Sequence, residues 1–421
     1  MKKETLLVIF TYKYPYEPPI EQFLDDEIQF LEKEDLDILL VPVSREIKDN
    51  EYPIAQSSEK ITTCKINRKN LNSETLIGLF QSVKAIKYIG NDWIRLIHYV
   101  QQNHKKSAAK ETLTHYIQGN AFYSEFVKQI PRNIFLDRKK IILYSYWFNP
   151  AVVAEALFKK SLMKKHRAQV YAYARAHGDG DLYHVGLEGY RPCLKLINDE
   201  IDAVFTISEN GKELLCDQGI RNVEVHRLGV TSKNEFIPTQ DKTPLIVSCS
   251  VINDNKRVER IPEILSKIHT NVRWIHFGSG PKEQELTSYC KEILPNNISW
   301  ELRGWTEHNL IMDFYKNETP DLFINVSKVE GIPVSIMEAM AYSIPCIATN
   351  VGASNEIVLD GQNGMLIPAD FIPEEIAVRI EEYFLFSDDT KDAKRKCAYL
   401  TYKGKYCSTS NYRLFTKRIL S

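Results

Sequence analysis

Apolar runs too short to be buried helices recur along this chain, separated by longer helical patterns, and that alternation limits the fold more than any other feature. The first series is LLVIF (6–10), DILLVPV (37–43), KIILYSY (140–146), VYAYA (170–174), AVFTI (203–207) and VEVHRL (223–228). The rhythm restarts with LIVSC (245–249), VRWIHF (272–277), ISWEL (298–302), DLFIN (321–325), PCIAT (345–349) and GMLI (364–367). Runs of this kind read as strands buried on both faces, and strands joined through helices pair in parallel with helices on either side. Two such series, separated by a polar stretch at 231–243, predict two doubly wound α/β domains, 1–230 and 244–390. Each is long enough to bury its own core. Residues 75–130 read as mostly helical, and a C-terminal helix over 395–421 is expected to return to the first domain.

Charge and composition narrow the function classes. With 54 basic and 55 acidic residues among 421, and 43% hydrophobic content, the chain reads as a soluble globular protein for which nucleic acid is not the default partner. Its apolar start is six residues long and is followed by charge and proline, so it reads as a strand and not a signal peptide. No run approaches the roughly 20 apolar residues of a membrane span. Eight scattered cysteines without a C-x-x-C pair fit a reducing cytoplasm. Residues 101–170 carry thirteen Lys or Arg against four acids, a net of +9. That segment reads either as solvated helix faces or as a docking surface for something anionic, a phosphorylated lipid substrate or the membrane holding it.

In open parallel sheets ligands bind beyond the carboxyl ends of strands. His177 follows VYAYA, residues 250–257 follow LIVSC, and Glu330 lies five residues after DLFIN, in SKVEGIPVSIMEAM (327–340). Acid pairs spaced as Glu330 and Glu338 are arise by chance roughly seven times in a chain of this acidity, so context has to decide. SIME fits a capping box, with Ser335 at the N-cap and Glu338 reaching back to it. Glu330 precedes a Gly-x-Pro turn where no helix has begun, so no capping role is open to it. Such a turn aims helix N-terminal amides at a ligand, which is how backbone holds phosphate without a metal. Carboxylates suit the hydroxyls of a polyol. DGD at 179–181 resembles a metal-binding carboxylate pair, but following a fifth strand it reads first as a glycine turn; no G-x-G-x-x-G follows the first strand, which argues against NAD chemistry.

The stretch VSKVEGIPVSIMEAMAYSIPCIATNVGASNEIVLDGQNGMLIP (326–368) closely resembles the signature of retaining glycosyltransferases of family 4, with two glutamates separated by seven residues at Glu330 and Glu338. YPYEPPIEQFLDDEI, RAHGDGDLY (175–183), SCSVINDNKRVERI (248–261), FGSGP (277–281) and CSTSNYRLF (407–415) extend it, most like bacterial exopolysaccharide-assembly members. The resemblance implies a GT-B fold, two facing Rossmann-like domains with a cleft between them. By resemblance Glu330 contacts donor-sugar hydroxyls near C3 and C4, and Glu338 the ribose. The backbone of Gly331, Ile332, Pro333, Val334 and Ser335 would hold sugar and diphosphate, and Gly278 and Gly280 would let backbone approach the nucleotide. An Arg, five residues, Lys pair usually neutralises the diphosphate; here those positions are Ser250 and Lys256, with Arg257 adjacent, so the arginine is missing. His177 would lie near the anomeric carbon, making it, Lys256 and Glu330 the catalytic set.

The activity so implied is retaining transfer of a hexose, with no metal or other cofactor, from a UDP- or GDP-sugar to a glycan or lipid-linked glycan in bacterial surface polysaccharide synthesis. It would take place in the cytoplasm, peripherally at an anionic membrane. A non-hydrolysing sugar-nucleotide epimerase and a non-catalytic sugar-nucleotide or glycan-binding protein are the alternatives.

Overall fold

The computed structural model describes residues 2–16, 21, 23–44, 47, 58–66, 92–103, 107–148, 150–182, 190–240 and 242–421. The chain divides into two units, Met1–His226 with Tyr412–Ser421, and Arg227–Asn411.

The first unit holds a seven-stranded parallel sheet of β1 (Thr5–Thr11), β2 (Asp37–Pro42), β3 (Ile61–Thr63), β4 (Lys140–Ser145), β5 (Gln169–Ala176), β6 (Ala203–Thr206) and β7 (Val223–Val225), ordered β3-β2-β1-β4-β5-β6-β7. Alternate residues of β1 serve two cores. Leu6, Val8 and Phe10 face helices Ser107–Gln129 and Ala151–Lys165, whereas Leu7 and Ile9 face helix Phe23–Leu31 and the last helix, Ser408–Leu420, through Leu24, Ile28, Phe415 and Ile419. The expected helical region 75–130 is seen as helices Asp92–Asn103 and Ser107–Gln129; its beginning lies outside the described residues.

In the second unit the sheet comprises β8 (Leu245–Cys249), β9 (Val272–Phe277), β10 (Ile298–Leu302), β11 (Leu322–Asn325), β12 (Cys346–Thr349) and β13 (Gly364–Ile367), ordered β10-β9-β8-β11-β12-β13, all parallel. Leu245 and Val247 face one core, Ile246 the other. This is the doubly wound order, and strand order reverses between β8 and β11 as it does between β1 and β4 in the first sheet. Those two switch points are where loops diverge and leave a crevice.

The stretch expected as one helix over 395–421 is two. Helix Asp388–Thr401 stays with the second unit, burying Ala398 beside the helix at 334–341, and a wide turn at Tyr402–Tyr406 precedes Ser408–Leu420. The chain passes to the first unit only at Tyr412, and Phe415 and Ile419 complete the core there.

Candidate active site

At the second switch point the loop after β8 opens with an Asx turn, in which Asn253 Oδ1 accepts the amides of Asn255 (3.1 Å) and Lys256 (2.9 Å). Asn255 then clamps the loop after β11. Its side-chain amide donates to the Val329 carbonyl (3.2 Å), its Oδ1 accepts the Val329 amide (3.2 Å), and its own carbonyl accepts the Lys328 amide (2.7 Å). This clamp carries Lys256 to Glu330, Nζ to Oε1 at 2.6 Å. The same oxygen accepts from Ser327 Oγ at 2.6 Å and from Asn325 Nδ2 at 3.2 Å. Glu330 is only 8% exposed, and burying a carboxylate is costly unless it is paired and hydrogen-bonded, as it is here. Among the described residues no protein donor reaches Oε2, so one acceptor oxygen is left for a ligand.

Behind Glu330, Gly352 has φ +55° and lies so close that an added Cβ would sit 1.7 Å from the Glu330 carbonyl oxygen. Ala353 donates to the Gly331 carbonyl at 3.0 Å, so residues 330 and 331 are wedged from the far side.

The helix after Glu330 corrects the capping-box reading. It runs Val334–Ala341 with Pro333, at φ −67° and ψ 114°, as its N-cap and no side-chain cap. Proline takes the non-helical position, so Ser335 is already inside the first turn and Glu338 lies beyond it. The first intrahelical bonds come from Ile336 and Met337 to the Pro333 carbonyl, which places the Val334 and Ser335 amides ahead of them. Glu338 instead meets His308 Nε2 at 2.8 Å.

Among the donor-side expectations, Arg257 lands elsewhere than the sequence suggests. Arg257 takes a left-handed backbone, φ +48°, and turns inward. Its guanidinium donates to the carbonyls of Val326 (2.8 Å), Ala369 (3.0 Å) and Ser327 (3.3 Å), tying together the loops after β8, β11 and β13. Gly278, at φ +129°, and Gly280 let protein carbonyls approach closely: an added Cβ would sit 1.9 Å from the Ser250 carbonyl oxygen and 2.3 Å from that of Ile252. Buried His276 stitches the same two loops, Nδ1 to Ser248 Oγ at 2.8 Å and Nε2 to the Ser250 carbonyl at 3.1 Å, and burial draws its imidazole down to about 4.

The first switch point has its own carboxylate. Glu21, from the loop after β1, accepts the amides of Tyr12 (2.6 Å), Lys13 (2.9 Å) and Tyr14 (2.7 Å), and reaches across to Trp147 Nε1 after β4 at 2.7 Å. The Trp147 and Tyr146 rings lie 4.6 and 4.5 Å from that of His177, after β5. His177 Nε2 lies 2.9 Å from the Tyr146 carbonyl. A carbonyl only accepts, so Nε2 carries the proton and Nδ1 the lone pair. The ring keeps some exposure, yet desolvation and then Arg175 draw it down to about 3, so it is neutral. Arg175 itself is buried on Glu27 and stacked 4.1 Å from the Phe415 ring centroid. Asp181 of the DGD sequence accepts the His177 amide at 3.0 Å, and burial lifts its carboxyl to about 7.

Four of the thirteen cations in the +9 segment meet acids outside it. Arg138 meets Asp37, Lys139 meets Glu4 at 2.6 Å, Lys159 meets Asp202 at 2.7 Å and Lys160 meets Glu200 at 2.8 Å, all partners outside the segment. Among the described residues no helix is long and apolar enough to cross a membrane.

Sequence reasoning missed Asn255, Asn325, Ser327, Gly352, Glu21 and Trp147. A signal existed for Asn325 and Ser327: polar residues closing an apolar strand run stand where a parallel sheet presents its ligand-binding edge.

Two Rossmann-like units of this topology, with the charged cluster at the second switch point, define a GT-B glycosyltransferase fold. Residues 231–399, within the second unit, match the family described as glycosyl transferases group 1. A putative colanic acid biosynthesis glycosyltransferase of Salmonella typhimurium is 37% identical over 260 residues, 58% of this chain and 62% of that protein. The GtfA subunit of a UDP-N-acetylglucosamine–peptide N-acetylglucosaminyltransferase of Streptococcus agalactiae is 24% identical over 48% of this chain and 41% of its own length. The lipopolysaccharide 1,6-galactosyltransferase of Escherichia coli is 24% identical over 39% and 48%. The chain thus spans about half the length of these relatives. Among solved structures, the lipopolysaccharide outer core galactosyltransferase WaaB, apo form, superposes with a TM-score of 0.63 at 14% identity over 98% of this chain and 99% of that one. The Anabaena protein HepE with UDP and glucose gives 0.60 at 13% over the same shares.

Proposed function

We propose that this protein is a retaining, metal-independent glycosyltransferase. It moves a hexose from a nucleotide-diphosphate sugar to a glycan or lipid-linked glycan acceptor in bacterial surface polysaccharide synthesis, on the cytoplasmic side of the membrane. The observation that carries the reading is Glu330, whose Oε1 is held by Lys256, Ser327 and Asn325 while Oε2 is left to accept hydroxyls. The named relatives and the family match support glycosyl transfer.

In this reading Oε2 of Glu330 holds hydroxyls of the donor sugar, and Glu338 takes the ribose. The diphosphate lies against the Val334 and Ser335 amides, where the helix dipole favours negative charge, and draws the Lys256 ammonium toward itself. As the glycosidic bond breaks, the bonding pair leaves on the phosphate oxygen. The acceptor oxygen enters on the same face, and its proton passes to that phosphate. No protein nucleophile is needed. Neutral His177 offers Nδ1 as a hydrogen-bond acceptor for a hydroxyl bound at the first unit.

The test is a panel of nucleotide sugars scored by thermal shift, since a ligand at 100 times its dissociation constant stabilises by about 2.7 kcal/mol. Acceptor-dependent release of nucleoside diphosphate, with retained anomeric configuration and unchanged rate in EDTA, is the expected result. Loss of turnover in EDTA with rescue by manganese would overturn the metal-independent reading, and nucleotide release without acceptor would favour the epimerase.

A further inference from the structure

The DGD sequence, singled out by its carboxylates and given no part in the reaction so far, closes the loop that carries His177. The ladder between β4 and β5 ends at Ser145 and Ala174, so the residues beyond it need other ties. The amides of Asp181 and Leu182 both donate to the Gly178 carbonyl, at 2.9 and 2.8 Å, so the chain doubles back straight after β5. That turn brings the Asp181 carboxylate, in a residue only 3% exposed, to the His177 amide, 3.0 Å from Oδ2. The Phe148 amide, in the loop after β4, points at the same carboxyl group. One buried side chain thus holds backbone donors at His177 and next to Trp147, whose rings are 4.6 Å apart. Arg191 locks it from behind. Its guanidinium lies over the Phe148 ring at 4.8 Å and donates to the Asp181 carbonyl at 2.6 Å and to Gln218 Oε1 at 2.8 Å. Gln218 Nε2 in turn donates to the Leu182 carbonyl at 3.1 Å. A buried carboxylate needs hydrogen-bond donors, and those that Asp181 meets are amides of the two loops.

We propose that Asp181 is a positioning residue: by holding the His177 and Phe148 amides it fixes the depth and orientation of the His177 ring, so that Nε2 stays on the Tyr146 carbonyl and Nδ1 is presented as the acceptor. This rests on the reading above, in which Nδ1 of neutral His177 accepts from a bound hydroxyl. Asp181 acts on that hydroxyl through His177 alone. Burial lifts the Asp181 carboxyl to about 7, so the fold holds its neutral form as well as its charged one, and an asparagine oxygen can take the same amide.

The test is a double-mutant cycle on the full chain with the nucleotide sugar that the thermal-shift panel selects, read as acceptor-dependent release of nucleoside diphosphate. Misplacing a group near the reacting atoms is costly, so Asp181→Ala is expected to lower kcat about tenfold to a hundredfold. The dissociation constant of the nucleoside diphosphate should stay as in the parent, which general damage to the fold would not allow. In the His177→Ala background the same change should cost less than about twofold, since the group it positions is gone. Asp181→Asn should recover most of the loss. Asp181→Glu, which keeps the charge and overruns the distance, should not, and these two variants decide the case where Asp181→Ala fails to fold. Independently of any substrate, heteronuclear NMR of the imidazole should show a single Nε2–H tautomer of His177 in the parent and in Asp181→Asn, and a mixture in Asp181→Ala and Asp181→Glu. Full additivity of the two alanine substitutions, or a single tautomer with parental turnover in Asp181→Glu, overturns the proposal. A silent His177→Ala beside the altered tautomers would instead overturn the part given to His177 in turnover and keep Asp181 as the residue that orients its ring.

Discussion

Lys256 and Arg257 are neighbours in sequence and do opposite things. One extends an ammonium to Glu330 at the sheet edge, and the other buries a guanidinium under three carbonyls. In the transferase reading Lys256 carries charge that two cations usually share, because Ser250 stands where an arginine is expected. A fixed cation aimed at developing charge is worth about 10² to 10³ in rate, so Lys256→Ala is expected to lower kcat at least about a hundredfold. Arg257→Ala should cost under about tenfold in kcat but at least about 2 kcal/mol in stability, since it strands buried acceptors. Ser250→Arg should leave activity intact or raise it. Steady-state kinetics beside urea unfolding separate the cases, and a near-silent Lys256→Ala with a dead Arg257→Ala would reverse the assignment. In sequence the family resemblance gave the diphosphate to Lys256 and left Arg257 only adjacent to it. What parts them is the left-handed backbone at Arg257, which no composition or spacing encodes.

At the scale of elements, β1 and β8 were legible because central strands of a parallel sheet are apolar on both faces. Ile61–Thr63 was not, because three half-exposed residues at a sheet edge carry no such run. The start of the helix at Val334 was misread for a related reason. S-x-x-E is a sufficient pattern for a cap, but Pro333 had already taken the non-helical position. At Gly278, Gly280 and Gly352 a carbonyl of the same unit makes a close approach. Gly352→Ala should therefore displace Glu330, lowering kcat and stability together. Gly361→Ala is the control: φ is +72° with open space around it, so it should cost about 1 kcal/mol and leave kcat unchanged. Equal effects of the two on kcat would show that Gly352 does not position Glu330.

The pairing of β8 with β9 also makes the second unit sensitive to acid. Folded His276 titrates at about 4 against 6.5 unfolded, so between those values the unfolded state binds the extra proton. Stability is therefore fully present above pH 6.5 and falls as pH drops toward 4, by about 1.4 kcal/mol per unit and about 3 kcal/mol in all. Urea midpoints measured over this range should fall, and His276→Gln should flatten the slope by one proton. An unchanged slope would assign the acid sensitivity to other groups.

For the whole molecule, the telling feature is that the first unit is built from two separated pieces of chain. Phe415 and Ile419 lie against Tyr144 and Phe205, and Arg418 forks onto Glu224 at 2.7 and 2.8 Å. Burial of two such side chains contributes about 3 to 6 kcal/mol, a large share of a domain's margin. Deleting residues 412–421 should thus lower the melting transition of the first unit and leave that of the second in place. Calorimetry with limited proteolysis would show it, and coincident loss of both transitions would mean that the units do not melt separately.

That split has a consequence in time. A ribosome emits residues 227–411 whole before it releases the ten that finish the unit begun first. Domains of a growing chain ordinarily mature from the N-terminus onward. Here the later-made half has every residue it needs while the earlier one still waits, one face of its sheet covered only in part, for the last helix to emerge.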